Sequence, residues 1–310
     1  MRINVAYCTD ERYCKIFTVS MVSLFESNKN VNGITVYCLE KGLSEKAKEE
    51  ITAVVSKYNR EIVYIPIQET CDSLRFWSSG RDTMFARLLI PNLLECDKIL
   101  YIDCDTIVIS SLEELWNESV EGYASLVVQD TARLDAKEEA GLKQDDRYFN
   151  SGVMVLNCWY WRENNLIQCI KDYESDFDEE GIFPDQRALN GATLKCSKFI
   201  SPKYNWSSEM ERYSRKQIVE ITGCDNFYWE EEMHESKKNP CIVHFSGRSI
   251  DRPWFTNCEH GFTDKYRSIM RMNEFTDFPL WKDKTLNIIK WKIKYMMPYT
   301  VIKSINRLRK

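Results

Sequence analysis

The sequence predicts an α/β protein: a mostly parallel sheet flanked by helices, followed by a basic helical appendage. Three observations carry this reading. Apolar runs of strand length alternate with amphipathic stretches through the first third of the chain, polar residues collect just beyond the carboxyl ends of the runs, and strand-like runs cease after about residue 265.

The elements follow in order. Residues 3–7, 34–39 and 62–67 read as strands. Between them, Ile16, Phe17, Ser20, Met21, Leu24 and Phe25 repeat at helical spacing, and Ser44 is an N-cap for a helix over 46–58. Strand, helix, strand, helix, strand implies parallel pairing. Residues 98–102 form a buried strand that ends in Asp103-Cys104-Asp105, and 123–129 form another that ends in Asp130. Residues 148–156 and 241–245 are two further strands. From Asp264 the pattern turns helical and basic and is broken by Pro279 and Pro298, which gives a main domain over 1–264 and an appendage over 265–310.

Composition excludes several classes. With 44% hydrophobic and 29% charged residues and little Gly or Pro, the chain is neither disordered nor fibrous. No run reaches the roughly 18 apolar residues of a membrane span, and the amino terminus lacks an apolar signal core, so a cytoplasmic location is expected. Twelve cysteines without a C-x-x-C pair read as reduced thiols rather than a disulfide or zinc framework. The net charge of −5 conceals an asymmetry: residues 281–310 hold nine Lys or Arg against Asp283, so this tail carries +8 and the rest −13. An acidic body argues against nucleic acid as a partner. A basic tail with Trp281, Trp291, Tyr295 and Tyr299 suits an anionic membrane surface or another anionic partner, or is an ordinary carboxy-terminal helix.

The sharpest chemical signal is Asp103-Cys104-Asp105, because two carboxylates ending a buried strand need compensation of their mutual repulsion. Residues two apart on an extended chain face one side, so Asp103 and Asp105 converge on a cation while Cys104 points away; a solvated turn is the other explanation. His244, in a strand-like run, is the natural third ligand or else a hydrogen-bonded core residue. Two carboxylates with one imidazole suit manganese, with magnesium as the alternative. His234 is expected at the surface, and His260 is a reserve ligand. The run from Phe149 through Asn150, Ser151 and Gly152 offers hydrogen bonds to a polyhydroxylated ligand, or makes a tight turn. Asp185, after Pro184 and before Gln186, caps or charge-stabilises a helix start. Arg87, within an apolar helix, requires a carboxylate or phosphate partner unless it snorkels to the surface.

Taken in order, these segments resemble glycosyltransferase family 8, retaining nucleotide-sugar transferases of GT-A fold, a Rossmann-like mostly parallel sheet flanked by helices. The resemblance covers about residues 2–260. It rests on Val5 to Tyr13, Phe85-Ala86-Arg87-Leu88, Lys98 to Asp105, Phe149-Asn150-Ser151-Gly152, Pro184-Asp185-Gln186 and His244-Phe245-Ser246-Gly247. It implies that Thr9, Asp10 and Tyr13 hold uridine, with the Tyr13 ring under the base, and that Asp103, Asp105 and His244 hold manganese against the diphosphate. Cys104 falls in the same donor-binding run, and Gly247 lets backbone approach phosphate. Arg87, Asp130, Asn150, Gly152, Asp185 and Gln186 would line the sugar pocket, with Gln186 near the anomeric carbon and Asp185 the carboxylate available for a double displacement. Two departures stand out. The segment after Gly247 is two residues longer than the usual H-x-x-G-x-x-K-P-W and has Arg252 in place of Lys, and Arg12 stands where some relatives carry Asn.

The function expected is transfer of a hexose, glucose or galactose, from a UDP-sugar to a hydroxyl of a surface glycan such as lipopolysaccharide, capsule or glycolipid. The enzyme would be peripheral on the cytoplasmic face of the membrane, its basic tail worth roughly 1 kcal/mol per Lys or Arg near anionic lipid. A metal-dependent nucleotidyl- or phosphoryl-transfer enzyme on a similar sheet is the alternative, and a non-catalytic nucleotide-sugar binder is a third reading.

Overall fold

The computed structural model describes residues 1–67, 82–131, 134–175 and 184–297. Its strands are β1 (Arg2–Asp10), β2 (Gly33–Lys41), β3 (Glu61–Pro66), β4 (Lys98–Ile102), β5 (Thr106–Val108), β6 (Ser125–Gln129), β7 (Phe149–Asn157), β8 (Ser197–Phe199), β9 (Trp206–Ser207) and β10 (Ile242–His244). Two helices, α1 (Cys14–Ser27) and α2 (Glu45–Lys57), link the first three strands, and the Ser44 hydroxyl caps α2 by accepting from Ala47 N, as the sequence predicts.

Seven strands form one sheet in the order β3-β2-β1-β4-β7-β6-β8. The β1–β2, β2–β3, β1–β4 and β6–β8 pairs are parallel, whereas β7 runs antiparallel to both its neighbours, β4 and β6. That reversal has a functional result. The first residues of β7 lie at the same sheet edge as the last residues of β1, β4 and β6.

Strand alternation divides the core between the two sheet faces. Ile3, Val5 and Tyr7 of β1 join Leu100 and Ile102 of β4 on one face, while Ala6 and Cys8 join Ile99 and Tyr101 on the other. On the first face α1 is buried around nearly its whole circumference, because a second sheet of order β5-β10-β9 packs beyond it. The polar residues of α1 are accordingly satisfied: Ser20 shares a hydrogen bond with Thr106, Thr18 donates to Cys14 O, and Ser23 accepts from Val108 N. In the second sheet His244 lies opposite Thr106 in antiparallel register, which brings it alongside Asp105.

The core extends past residue 264. Tyr266, Ile269 and Met270 of the Thr263–Met270 helix and Phe278 beyond it are buried in the α1-side cluster. Trp281 N donates to Trp254 O, and Thr256 N donates to Trp281 O. Contacts with the body thus continue past the expected limit at 264: Asp283 accepts from the Ser249 hydroxyl, and in the basic Thr285–Met296 helix Lys292 pairs with Glu259 and Trp291 lies under Arg248. Pro298, Tyr299 and the remaining tail lie outside the described residues. Among those described, no helix is long and apolar enough to cross a membrane. Cys14, Cys38, Cys104, Cys158, Cys224 and Cys241 are buried free thiols.

The Pro184–Thr193 helix is fastened to β7 by one side chain. Asn190 Oδ1 accepts from Phe149 N at 2.8 Å and Nδ2 donates to Phe149 O at 2.9 Å, replacing a missing strand neighbour for a wholly buried residue. We predict that Asn190→Ala lowers stability by about 1–3 kcal/mol for each backbone group orphaned, read as a fall in the urea midpoint with unchanged slope.

Candidate active site

Where the carboxyl ends of β1, β4 and β6 meet the start of β7, a cleft of about 810 Å³ opens, the position at which open α/β sheets bind ligands. Every residue assigned to the site from sequence lines it except Gly247. A Cβ on Gly247 would come within 2.2 Å of the Asp251 carboxylate. The turn in which Asp251 accepts from Arg248 N and pairs with Arg212 by itself requires glycine at this position.

At the floor, Asp103, Asp105 and His244 present ligand atoms that all lie within 4.8 Å of one another. His244 Nε2 is 3.2 Å from Asp105 Oδ1 and 3.9 Å from Asp103 Oδ2. The two carboxylates share a side as the i, i+2 spacing requires, and Cys104 between them turns into the core, its thiol donating to Cys8 O. Burial pushes the Asp103 carboxyl up, against the pull of Arg87. For Asp105 the attraction and hydrogen bond of His244 outweigh burial and hold the carboxyl below its usual range. His244 is itself raised, because Asp105 overcomes the opposing effect of burial. Two carboxylate oxygens and an imidazole nitrogen converging at this spacing fit a divalent ion such as manganese or magnesium.

Close packing makes this convergence possible. A Cβ on Gly152 would lie 2.4 Å from His244 Cε1 and 2.7 Å from Asp103 Oδ2, so only glycine lets β7 begin against the cluster. Arg87, in a 3₁₀ stretch (Ala86–Leu89), supplies the predicted compensating charge. Its Nη2 is 3.0 Å from Asp103 Oδ1, its Nε is 3.4 Å from Asp185 Oδ2, and Nη1 donates to Ser151 O. Tyr101 lies beneath the guanidinium and donates its hydroxyl to Asp103.

A hydrogen-bonded chain leads from the metal ligands to the other end of the cleft. His244 Nδ1 faces Asn205 Oδ1 at 2.9 Å, Asn205 Nδ2 donates to Asn150 Oδ1, and Asn150 Nδ2 donates to Asp130 Oδ2 at 2.7 Å. Gln186 Nε2 donates to the same Asp130 oxygen at 3.0 Å, while Gln186 Oε1 accepts from Ser151 N. Burial pushes the Asp130 carboxyl up, and these two amides hold it partly back. Asp185 does more than start a helix: it is buried and shares Arg87 with Asp103.

Around the mouth, Asp10 Oδ1 accepts from Tyr13 N, and Tyr13 meets Trp254 and Trp281 edge-on. Arg252 lies with Nη2 3.7 Å from Asp105 Oδ2 and Nη1 3.4 Å from the Tyr13 hydroxyl, so the longer loop still delivers an arginine to the cleft. Arg12 instead stacks on Trp281. His260 is not a ligand, since its ring packs 4.8 Å from Phe245 and its Nδ1 accepts from Phe262 N, while His234 is exposed as expected. Sequence reasoning missed Asn205, Glu209 and Trp291, all of which line the cleft. Nothing in the sequence marks the first, an asparagine between Tyr204 and Trp206 with no motif around it.

The comparisons agree with this geometry. The chain is 26% identical over 309 residues to an Escherichia coli lipopolysaccharide 1,2-glucosyltransferase, covering 95% of this chain and 85% of the relative. It is 23% identical to general stress protein A of Bacillus subtilis, covering 85% and 91%. Among solved structures, the galactosyltransferase LgtC, in complex with donor and acceptor sugar analogues, superposes with a TM-score of 0.71 at 18% identity, covering 88% of this chain and 96% of that one. That likeness is one of fold, GT-A. The model of glycosyl transferase family 8 matches residues 4–258, and with the sheet-edge cleft this makes the chain a member of that family.

Proposed function

We propose that the protein is a metal-dependent, retaining hexosyltransferase that moves glucose or galactose from a UDP-sugar to a hydroxyl of a lipopolysaccharide-type surface glycan. The observation that carries this reading is the convergence of Asp103, Asp105 and His244 in a cleft also lined by Thr9, Asp10 and Tyr13. The two donor sugars follow the relatives, one a glucosyltransferase and the other a galactosyltransferase.

The residues divide the work by position. Tyr13 offers its ring to uracil, with Thr9 and Asp10 beside the ribose. Asp103, Asp105 and His244 would hold a divalent ion, manganese or alternatively magnesium, which would supply positive charge against the departing diphosphate. Arg252 adds a fixed positive charge next to Asp105. Asp130, with one oxygen held by Asn150 and Gln186, presents the other to donor hydroxyls. Gln186 has both ends of its amide engaged, and an amide is a poor nucleophile; Asp185 is buried against Arg87. Both facts favour front-side displacement, in which the acceptor attacks on the face the diphosphate leaves, over a double displacement.

The basic tail supports a peripheral membrane location. Leu286, Ile289 and Ile293 are exposed on one face of the Thr285–Met296 helix, at 81%, 48% and 48%, among lysines. Two of the four tail aromatics have roles in the body: Trp281 packs on Trp254 and Phe255, and Trp291 lines the cleft under Arg248.

With purified protein and a panel of UDP-sugars, manganese should give release of UDP from one donor, lost on chelation and reduced to background in Asp103→Ala. Release of pyrophosphate instead would identify a nucleotidyl transferase, and turnover that survives chelation would overturn the metal role. Asn205→Leu should weaken metal binding roughly 10–100-fold by calorimetry, because the imidazole loses the acceptor that orients it. Since His244 must lose a proton to ligate and holds it to higher pH than usual, metal affinity should also fall as pH drops, with the fall beginning above the roughly 6.5 at which a free imidazole titrates. Vesicles rich in anionic lipid should co-sediment the full chain, and Leu286→Asp with Ile293→Asp should release it; equal binding to neutral vesicles would contradict the electrostatic part.

A further inference from the structure

A second concavity lies where the end of β8 and residues 200–201 meet residues 226–229, with Arg147 and Glu232 beside them. It measures about 260 Å³ and is lined by Arg147, Phe199, Ser201, Asn226, Trp229 and Glu232, among others. A lone exposed aromatic needs no explanation, but Trp229 is 73% exposed on a loop that is firmly fixed. Arg215 donates to the carbonyls of Tyr228, Asp225 and Phe227 and lies 5.5 Å from the centre of the Trp229 ring. Arg147 is fixed as well, its guanidinium 3.8 Å over Phe199 and its Nε donating to Gln129 Oε1 at 2.8 Å.

Gln129 joins the two cavities. It lines the main cleft next to Asp130, accepts from Arg147 in the second concavity, and its backbone N–H donates to the hydroxyl of Tyr228, which also lines that concavity. A rigid indole bordered by an arginine, an asparagine, a serine and a carboxylate has the chemistry that recognises a pyranose: a flat apolar face for C–H groups and planar polar groups for hydroxyls. The volume is below the roughly 300–1,000 Å³ of pockets for drug-sized ligands, so it suits one sugar unit rather than a chain. We infer that this concavity is a second saccharide-binding site, which holds a hexose unit of the acceptor glycan away from the reacting hydroxyl. The inference rests on the glycan-acceptor reading given above.

Saturation-transfer NMR on the full chain, with UDP and manganese present, tests this with lactose, maltotriose and cellotriose as probes. At least one sugar should receive saturation, with an about five- to tenfold loss of affinity in Trp229→Ala and most of it kept in Trp229→Phe and in Asp103→Ala. Circular dichroism checks that the variants are folded. Absence of transfer to all three sugars, or equal affinity in Trp229→Ala, overturns the second site. UDP binding measured by calorimetry on the same samples separates the two readings: its loss in wild type would count against the donor assignment and leave the saccharide result standing.

Discussion

Two carboxylates at the end of a buried strand repel each other and resist desolvation, and the structure around Asp103 and Asp105 is organised by the need to compensate both effects. Arg87 is the fixed part of that compensation. Its side chain is buried and reaches Asp103, Asp185 and Ser151 O, so it ties β4, the start of β7 and the Pro184–Thr193 helix to one charge. His244 is the second part, delivered to Asp105 by the register of β10 against β5. Neither removes the whole burden on the pair. The remaining negative potential faces the cleft, which is where a divalent cation fits.

Geometry at this point tolerates little substitution. Because β7 is antiparallel, its amino-terminal residues meet the carboxyl ends of parallel strands, and Gly152 permits them to do so without displacing His244 or Asp103. The same reversal places Asn150 and Ser151 between the metal ligands and the Pro184–Thr193 helix. One antiparallel strand in an otherwise mostly parallel sheet therefore brings donor-side and sugar-side residues to a common edge.

Most of this was legible in the residues. Alternating apolar runs located β1, β2, β4 and β7 to within a few positions, and the isolated arginine and paired aspartates signalled a compensated charge before any fold was known. What stayed hidden depended on tertiary placement. Gly247 is constrained by Asp251 four residues later, a contact within a turn that no spacing rule identifies. Asn205 carries no motif, since its role exists only once β9 lies beside β10. The tail's composition could not distinguish apolar residues that pack on the body from those that do not: Trp281 closes the core around Trp254, whereas Leu286 and Ile293 remain in solvent.

The amide chain across the cleft has a direction, and Asp130 sets it. An ionised carboxylate only accepts, so Asn150 must turn its Nδ2 toward Asp130 and its Oδ1 toward Asn205 and Gly152 N. Asn205 then has to donate to that oxygen, which leaves its own Oδ1 for His244. The imidazole proton is thereby assigned to Nδ1, and the Nε2 lone pair is left for the metal. Gln186 obeys the same constraint from the other side, giving its amino group to Asp130 and its oxygen to Ser151 N. The Asp130 carboxylate thus favours the Nδ1–H tautomer of His244 three residues away along the hydrogen-bond chain. Backbone N–H groups of Gly152 and Ser151 hold the Asn150 and Gln186 amides in the same sense, so the carboxylate and the main chain agree on one direction for the network that reaches His244.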